Sequence, residues 1–373
     1  MSMGARIALD VHTLGQCQTG NETYIRNLAT GLFRLQRPWE IFLYHTRAVT
    51  ESGLPEGTGT FRRLWPHQPL LRIPLSFPLA LWRDKIDLAH FQYVAPPLCP
   101  CPTVVTVHDI SYEFFPEYFP RLQRERMRML IPLSARRAAH VLTISEFSRA
   151  TMVERYGIAA ERISVTYLGV AESFRRLAAD QAREQCRRFG LDRPFVLGVG
   201  NLQPRKNLER LMRAFARLPR RTREDFDLVL VGQPGWQAER IQAEAERLGI
   251  AERVRFTGYV ADEELVALYN LATVFAYPSL YEGFGLPVLE AMACAAPVLT
   301  SSVSSLPEVA GTAALLVDPR DEEAISAGLL KLLTDDALRE SLRTAGIARA
   351  ARFSWQATAQ HTAEVFEKVL AGR

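Results

Sequence analysis

Short apolar runs alternate with helix-length amphipathic stretches along almost the whole chain. In the first half the runs are Ile7–Val11, Ile41–Tyr44, Leu88–Phe91, Val104–Val107, Val141–Ile144 and Ile163–Tyr167. In the second half they are Phe195–Val199, Leu228–Val231, Val254–Phe256, Val274–Tyr277, Val298–Thr300 and Ala314–Val317. Strands separated by helix-length segments predict βαβ units and a parallel sheet. Two such series, in a chain of 373 residues that is too long for one growing core, predict two doubly wound α/β domains. Ligands in that architecture bind beyond the carboxyl ends of the strands. The boundary is expected after the run ending at Tyr167, where a polar stretch leads to a helix opened by Asp180 and ended by Gly190. This divides the chain into residues 1–175 and 176–355, and Trp355 to Leu370 reads as a further amphipathic helix.

Two segments break the rhythm. Thr46–Thr60 is rich in Gly, Ser, Thr and Glu and reads as a surface loop. Pro66–Pro102 carries eight prolines, with Trp65, Phe77 and Trp82 in or beside its first part. Buried irregular packing with proline-broken helices is the simpler reading; an acceptor-side or membrane-contacting surface is the other. Arg121, Arg124, Arg126, Arg128, Arg136 and Arg137 follow on helical segments around Pro132. They suit a solvated helix face, or a hold on an anionic lipid-linked acceptor.

Composition is that of an ordinary globular protein, with 48% hydrophobic and 23% charged residues. The positive charge is almost all arginine, the lysines being Lys85, Lys206, Lys331 and Lys368. Residues 1–175 carry 20 Arg and Lys against 15 Asp and Glu, whereas 176–355 carry 23 against 24. Five scattered cysteines imply no disulfide framework, and Cys99-Pro100-Cys101 is too tight and isolated for zinc. No secretory apolar region opens the chain and no run nears the ~20 apolar residues of a membrane span. The expectation is a cytoplasmic, soluble or peripheral protein, with any peripheral contact at an inner, anionic membrane face. No nucleic-acid module is present in the sequence.

The most informative segment is Tyr281-Glu282-Gly283-Phe284-Gly285-Leu286-Pro287-Val288-Leu289-Glu290. Two glutamates stand eight positions apart across a glycine-flanked turn that leads from a strand into a helix. A helix N-terminus offers backbone N–H groups to a phosphate, and each carboxylate can accept two hydroxyl hydrogen bonds from a sugar diol. The wider string Tyr277-Pro278-Ser279-Leu280-Tyr281-Glu282-Gly283-Phe284-Gly285-Leu286-Pro287 resembles the E-x7-E signature of family-four retaining glycosyltransferases, the group 1 glycosyltransferases. The resemblance runs through most of the chain. It implies the GT-B fold: two Rossmann-like domains facing across a cleft, the first for the acceptor and the second for the nucleotide-sugar donor, with the terminal helix, residues 356–373, crossing back to the first.

The site residues follow from the same resemblance. Glu282 contacts donor-sugar hydroxyls, the Gly283, Phe284, Gly285 and Leu286 amides meet sugar and phosphate, and Glu290 holds the ribose. In Gly200-Asn201-Leu202-Gln203-Pro204-Arg205-Lys206-Asn207, Lys206 matches the cation that binds the donor diphosphate, with Arg205 beside it. In Thr106-Val107-His108-Asp109-Ile110, His108 matches the histidine beside the transferred sugar. In Thr19-Gly20-Asn21-Glu22-Thr23-Tyr24, Gly20 lets the backbone approach the diphosphate, though relatives often carry two adjacent glycines. Tyr259 and Val260 would border the base. Matches continue through Thr143–Ser148 and Ser304–Gly311. Ala295 departs from the glycine common at that helix end; were φ positive there, alanine would cost about 1 kcal/mol.

Asp225-Phe226-Asp227 is a literal D-x-D, the metal motif of the other large glycosyltransferase fold, but it precedes a strand and reads as a surface turn. No cofactor and no metal are therefore expected, the nucleotide sugar being a substrate. The resemblance implies a retaining hexosyltransferase, a mannosyltransferase of polysaccharide biosynthesis with GDP-mannose favoured, acting on a hydroxyl of a glycan or lipid-linked saccharide. The rivals are a GT-B-like sugar-nucleotide epimerase and a non-catalytic nucleotide-sugar-binding subunit.

Overall fold

The structure, a computed structural model, describes residues 4–15, 20–46, 54, 57, 59–200, 203–232 and 238–372. Thr19, Asn201, Leu202, Cys17 and most of the 46–60 segment lie outside them. Two compact units are present, residues 1–169 with 354–373, and residues 170–353.

The first unit holds β1 (Ala5–Asp10), β2 (Trp39–His45), β3 (Thr60–Arg63), β4 (Leu88–Gln92), β5 (Thr103–Thr106), β6 (His140–Thr143) and β7 (Ile163–Val165). They form one parallel sheet in the order β3-β2-β1-β4-β5-β6-β7. The second holds β8 (Phe195–Val199), β9 (Asp227–Val231), β10 (Val254–Gly258), β11 (Val274–Tyr277), β12 (Val298–Ser301) and β13 (Leu315–Val317), parallel in the order β10-β9-β8-β11-β12-β13. Each of the twelve expected apolar runs forms a strand. The central strands β4, β5, β8, β9, β11 and β12 are buried along their whole length, as helices on both sheet faces require. In both sheets the strand order reverses at one place, between β1 and β4 and between β8 and β11. The ends of those strands are where a doubly wound fold leaves a crevice.

Two expectations need correction. Thr60 does not close a loop but opens β3, an edge strand on which Arg63 is exposed, while Arg62 lies over the Phe42 ring and pairs with Asp84 at 3.2 Å. Pro66–Pro102 is not buried irregular packing. Helix Pro69–Leu71 runs through a π-helical turn, Arg72–Ser76, into helix Phe77–Arg83. Pro78 sits in the first turn of that last helix, where a missing N–H costs little. Phe77, Ala80 and Leu81 are buried, while Leu71, Leu75, Leu79 and Trp82, at helical spacing, are exposed.

Helix Trp355–Ala371 belongs to the first unit. It packs on helix Gly20–Arg34 so tightly that a Cβ on Gly31 would stand 2.6 Å from that of Ala359. Ser354 caps it through the Ala357 N–H at 3.1 Å, and the Thr358 hydroxyl donates to the Tyr167 carbonyl at 2.6 Å. Among the described residues, no helix is long and apolar enough to cross a membrane.

Ala295 adopts φ of 61° just past helix Leu286–Ala293. The left-handed region costs an L-residue about 1–2 kcal/mol, partly offset by the chain entropy that glycine loses on folding. Ala295→Gly should therefore stabilise the protein by about 1 kcal/mol, raising the thermal midpoint by about 2–4 °C. A midpoint that is unchanged or lower in a scanning-calorimetry melt would overturn this.

Candidate active site

Two turns meet at the reversal point of the second sheet. After β8 the chain makes a tight turn, Pro204–Lys206, and Asn207 takes a left-handed φ of 61° to begin helix Leu208–Ala216. The buried Asn207 amide donates to the Pro278 and Pro319 carbonyls at 2.8 and 2.7 Å, fixing this turn against the end of β11. After β11, Gly285 at φ 114° leads into helix Leu286–Ala293 with Pro287 in its first turn. A Cβ at Gly285 would fall 2.7 Å from Leu306, so the close turn needs glycine.

Glu282 is the centre of the arrangement, only 7% exposed. Its Oε1 accepts from Lys206 Nζ at 2.7 Å, Tyr277 Oη at 2.8 Å and Ser279 Oγ at 2.6 Å; its Oε2 accepts from Arg205 Nη1 at 2.8 Å. Burial alone would raise its pKa, but the Arg205 and Lys206 charges and these hydrogen bonds hold it well below the usual carboxylate range. Lys206 also lies over the Tyr277 ring, 5.0 Å from its centroid. Glu290, inside helix Leu286–Ala293, is part-buried and hydrogen-bonded by Tyr269 Oη at 3.2 Å. Burial pushes its pKa up to about 7, with Asp262 adding to the rise and Lys206 opposing it. The two glutamates thus share one lysine but differ in protonation.

The turn is pegged from the neighbouring strand. The hydroxyls of Thr300 and Ser301, at the end of β12, donate to the Tyr277 and Ser279 carbonyls at 2.9 and 2.6 Å. Ser305 Oγ donates to the carbonyls of Glu282 and Phe284 at 2.9 and 2.8 Å, and the Glu282 N–H donates to Ser304 Oγ at 3.2 Å.

The structure therefore brings Arg205, Lys206, Glu282 and Glu290 together, with Gly283, Gly285 and Leu286 between the glutamates. Phe284 turns its ring inward, edge-on to Phe353 with centroids 5.9 Å apart, so only its backbone can meet a ligand. Tyr259 is exposed just past β10, whereas the Val260 side chain is buried. Asp227 is not part of a surface turn. It is buried at the start of β9, the opposite strand end from Tyr277, and pairs with Arg253 at 3.6 Å and Arg255 at 4.0 Å.

In the first unit His108 follows β5 and is buried. Its Nε2 lies 2.9 Å from the Gln92 amide oxygen at the end of β4, which places the proton on Nε2. Tyr24 and Tyr93 meet its ring edge-on at 4.6 and 5.4 Å. Burial lowers its pKa to about 4, against a smaller opposing pull from Asp109, so the ring is neutral near pH 7. Gly20 opens helix Gly20–Arg34, the helix that delivers Tyr24, and a Cβ there would meet nothing within 4 Å. No steric demand for glycine comes from the described residues. The Thr143 and Ser148 hydroxyls donate to the Val107 and His108 carbonyls at 2.8 and 3.0 Å, which gives the Thr143–Ser148 segment its role. Asp10, His12 and Arg72 form a further polar cluster at the end of β1. His12 Nδ1 hydrogen-bonds Asp10 at 2.8 Å, and burial, though opposed to ionisation, is outweighed there by His12 and Arg72. The strand-end position of Asp10 was the one sequence signal for it.

Comparison with known proteins gives the family. The sequence model described as Glycosyltransferase Family 4 matches residues 19–174, and that described as Glycosyl transferases group 1 matches residues 181–349. The chain is 38% identical over 265 residues to the O-antigen chain mannosyltransferase B of Escherichia coli, covering 71% of this chain and 70% of that protein. The chain belongs to the group 1, family-four glycosyltransferases. This glycosyltransferase is also 32% identical over 280 residues to the O-antigen chain mannosyltransferase RfbU of Salmonella typhimurium, covering 74% and 73% of the two chains. In fold it resembles the sucrose-phosphate synthase of Thermosynechococcus elongatus, with a TM-score of 0.83, 23% identity and coverage of 99% and 100%.

The raised pKa of Glu290 has a consequence for stability. Its folded value of about 7 lies above the ordinary 4.5, so its contribution is fully present below about pH 4.5 and is lost as pH rises toward 7. Glu290→Gln removes that loss. In urea unfolding, the stability of the variant relative to the parent should grow as pH rises from 4.5 to 7, then level off. A constant difference across that range would show that Glu290 ionises normally.

Proposed function

We propose that this glycosyltransferase moves mannose, from GDP-mannose before other nucleotide diphosphate sugars, to a hydroxyl of a glycan or lipid-linked saccharide, with retention and without a divalent metal. The acceptor would lie at the inner face of a membrane. The observation that carries the reading is the grip of Lys206 and Arg205 on the buried Glu282, with Glu290 within electrostatic range of the same lysine. Two cations sharing one strongly ionised carboxylate leave net positive charge where a diphosphate would depart, which supports leaving-group stabilisation by side chains instead of by a metal. Names of the related proteins favour mannose and an O-antigen-like acceptor.

Both Glu282 oxygens are occupied by donors, which makes this carboxylate a poor nucleophile and a good positioning group. That supports front-face departure: the bond from the sugar C1 to the diphosphate oxygen breaks, the acceptor oxygen bonds to C1 on the same face, and the acceptor proton passes to the leaving diphosphate. Glu282 would hold donor-sugar hydroxyls through Oε2, which has one donor where Oε1 has three. Glu290 would hold the ribose diol, and the neutral His108, whose Nε2–H is given to Gln92, would accept a hydrogen bond at Nδ1 beside the sugar.

The test is transfer from GDP-mannose to octyl α-mannoside in EDTA, with the product anomer read by NMR. An α-linked product formed without metal is expected. Lys206→Ala should lower kcat by about 10²–10³-fold, and the near-isosteric Glu282→Gln should abolish transfer while the fold remains intact by circular dichroism. A β-linked product, dependence on added metal, or near-parental turnover in Glu282→Gln would overturn the mechanism. Release of an epimer, or nucleotide binding without turnover, would favour an epimerase or a binding subunit.

A further inference from the structure

The first unit contains a cavity of about 690 Å³ that the reaction above does not use. It lies between helix Arg121–Arg137, the Gln68–Pro74 stretch and the loop Val94–Pro102, and Leu70, Ile73, Val94, Leu130 and Leu133 give it an apolar wall. Its size is within the range of small-molecule sites. Its charged lining residues are Arg126 and Arg137.

Three observations narrow the occupant. The first is the pairing of the arginines. Arg124 and Arg128 bond to Glu125 and Glu113, and Arg136 to the Tyr156 carbonyl. The two that line the cavity have no ion pair or hydrogen bond among the described residues. The second is the exposed surface of the helices that line the cavity, of which Arg126, Leu133 and Arg137 also line it. Leu122, Arg126, Met129, Leu133 and Arg137 recur at helical spacing on one exposed stripe, and the adjoining helical segment presents Leu71, Leu75, Leu79 and Trp82. Trp82 is 73% and Leu98 79% exposed. An apolar area of this kind marks an interaction surface, and alternating arginine with leucine and tryptophan suits the bilayer interface. The third is charge: the named stripe carries no carboxylate, so a second copy of it would leave the arginines unpaired, which disfavours a symmetric dimer.

We propose that this cavity takes an acyl chain of an anionic membrane phospholipid, with the lipid phosphate held by Arg126 and Arg137 and the outward leucines and tryptophan seated in the interface. The inference deepens the reading of a lipid-linked acceptor and rests on it for its purpose. Its test reads lipid binding alone, so failure of the transfer chemistry would not imitate its failure.

The experiment is co-flotation of the full chain with vesicles of phosphatidylcholine alone and of phosphatidylcholine mixed with phosphatidylglycerol. The parent should float with the mixed vesicles, and less so at high salt. Arg126→Ala and Arg137→Ala should each weaken binding about five-fold, the scale of one basic residue at an anionic surface. Leu79→Ser with Trp82→Ser, both exposed positions, should weaken it further with unchanged circular dichroism. Dihexanoyl phosphatidylglycerol should raise the thermal midpoint where glycerol 3-phosphate does not, separating a chain site from a simple phosphate site. Equal flotation on both vesicle types, no flotation, or protection by glycerol 3-phosphate alone would overturn the proposal. So would a dimer in sedimentation that Leu79→Ser dissolves, which would assign the patch to a protein partner.

Discussion

The second unit depends on one buried carboxylate being outnumbered by cations. Glu282 sits where three chain segments converge, and each supplies a contact: the Pro204–Lys206 turn gives the cations, β11 gives Tyr277, and the following loop gives Ser279. Without the carboxylate, Lys206 and Arg205 would face each other in a poorly solvated place. Breaking a buried pair by removing one partner costs about 3–5 kcal/mol, so the charge balance is structural as well as chemical. Glu290 shows the contrast. It has a tyrosine, not a cation, at hydrogen-bonding distance, and burial then governs its ionisation. Two glutamates eight residues apart behave differently because of what stands next to them, not because of their own chemistry.

The same economy recurs in the first unit. His108 and the Glu282 turn both follow a central, fully buried strand, and both are steadied by hydroxyls from the next strand over, joined at His108 by Ser148 from the helix after that strand. A parallel doubly wound sheet makes this possible, because its strand ends lie side by side and adjacent loops are within hydrogen-bonding range. Small hydroxyl side chains bond to backbone carbonyls there and, together with the buried Ile110, Tyr281 and Phe284, hold the loops in shape.

Much of this was legible in the sequence. Runs such as Phe195–Val199 and Val274–Tyr277 coincide with strands because a strand buried on both faces must be continuously apolar. Lys206, Glu282 and Glu290 were legible because a turn between strand and helix fixes their spacing. The remaining features have no such periodic signature. β3, Thr60-Phe61-Arg62-Arg63, has one large apolar residue in four positions and lies at a sheet edge. Ser148 and Ser305 act on carbonyls 40 and 21 to 23 residues away, and no local pattern encodes that reach. The proline content of Pro66–Pro102 reads as proline-broken helices, whereas a π-helical turn and a first-turn position accommodate Pro74 and Pro78. Asp227 looked like solvent-facing charge because its partners, Arg253 and Arg255, arrive from the neighbouring strand and its approach.

The tight seating of Ala359 against Gly31 ties two parts of the first unit that are separated in the sequence by the entire second unit. During synthesis on the ribosome, the second unit is therefore contiguous and available to fold before the first can close. Until helix Trp355–Ala371 emerges, the apolar groove on helix Gly20–Arg34 has no cover from its own chain. Such an interval is where nascent proteins aggregate or recruit chaperones, so the unit whose residues begin to emerge first is the one completed last.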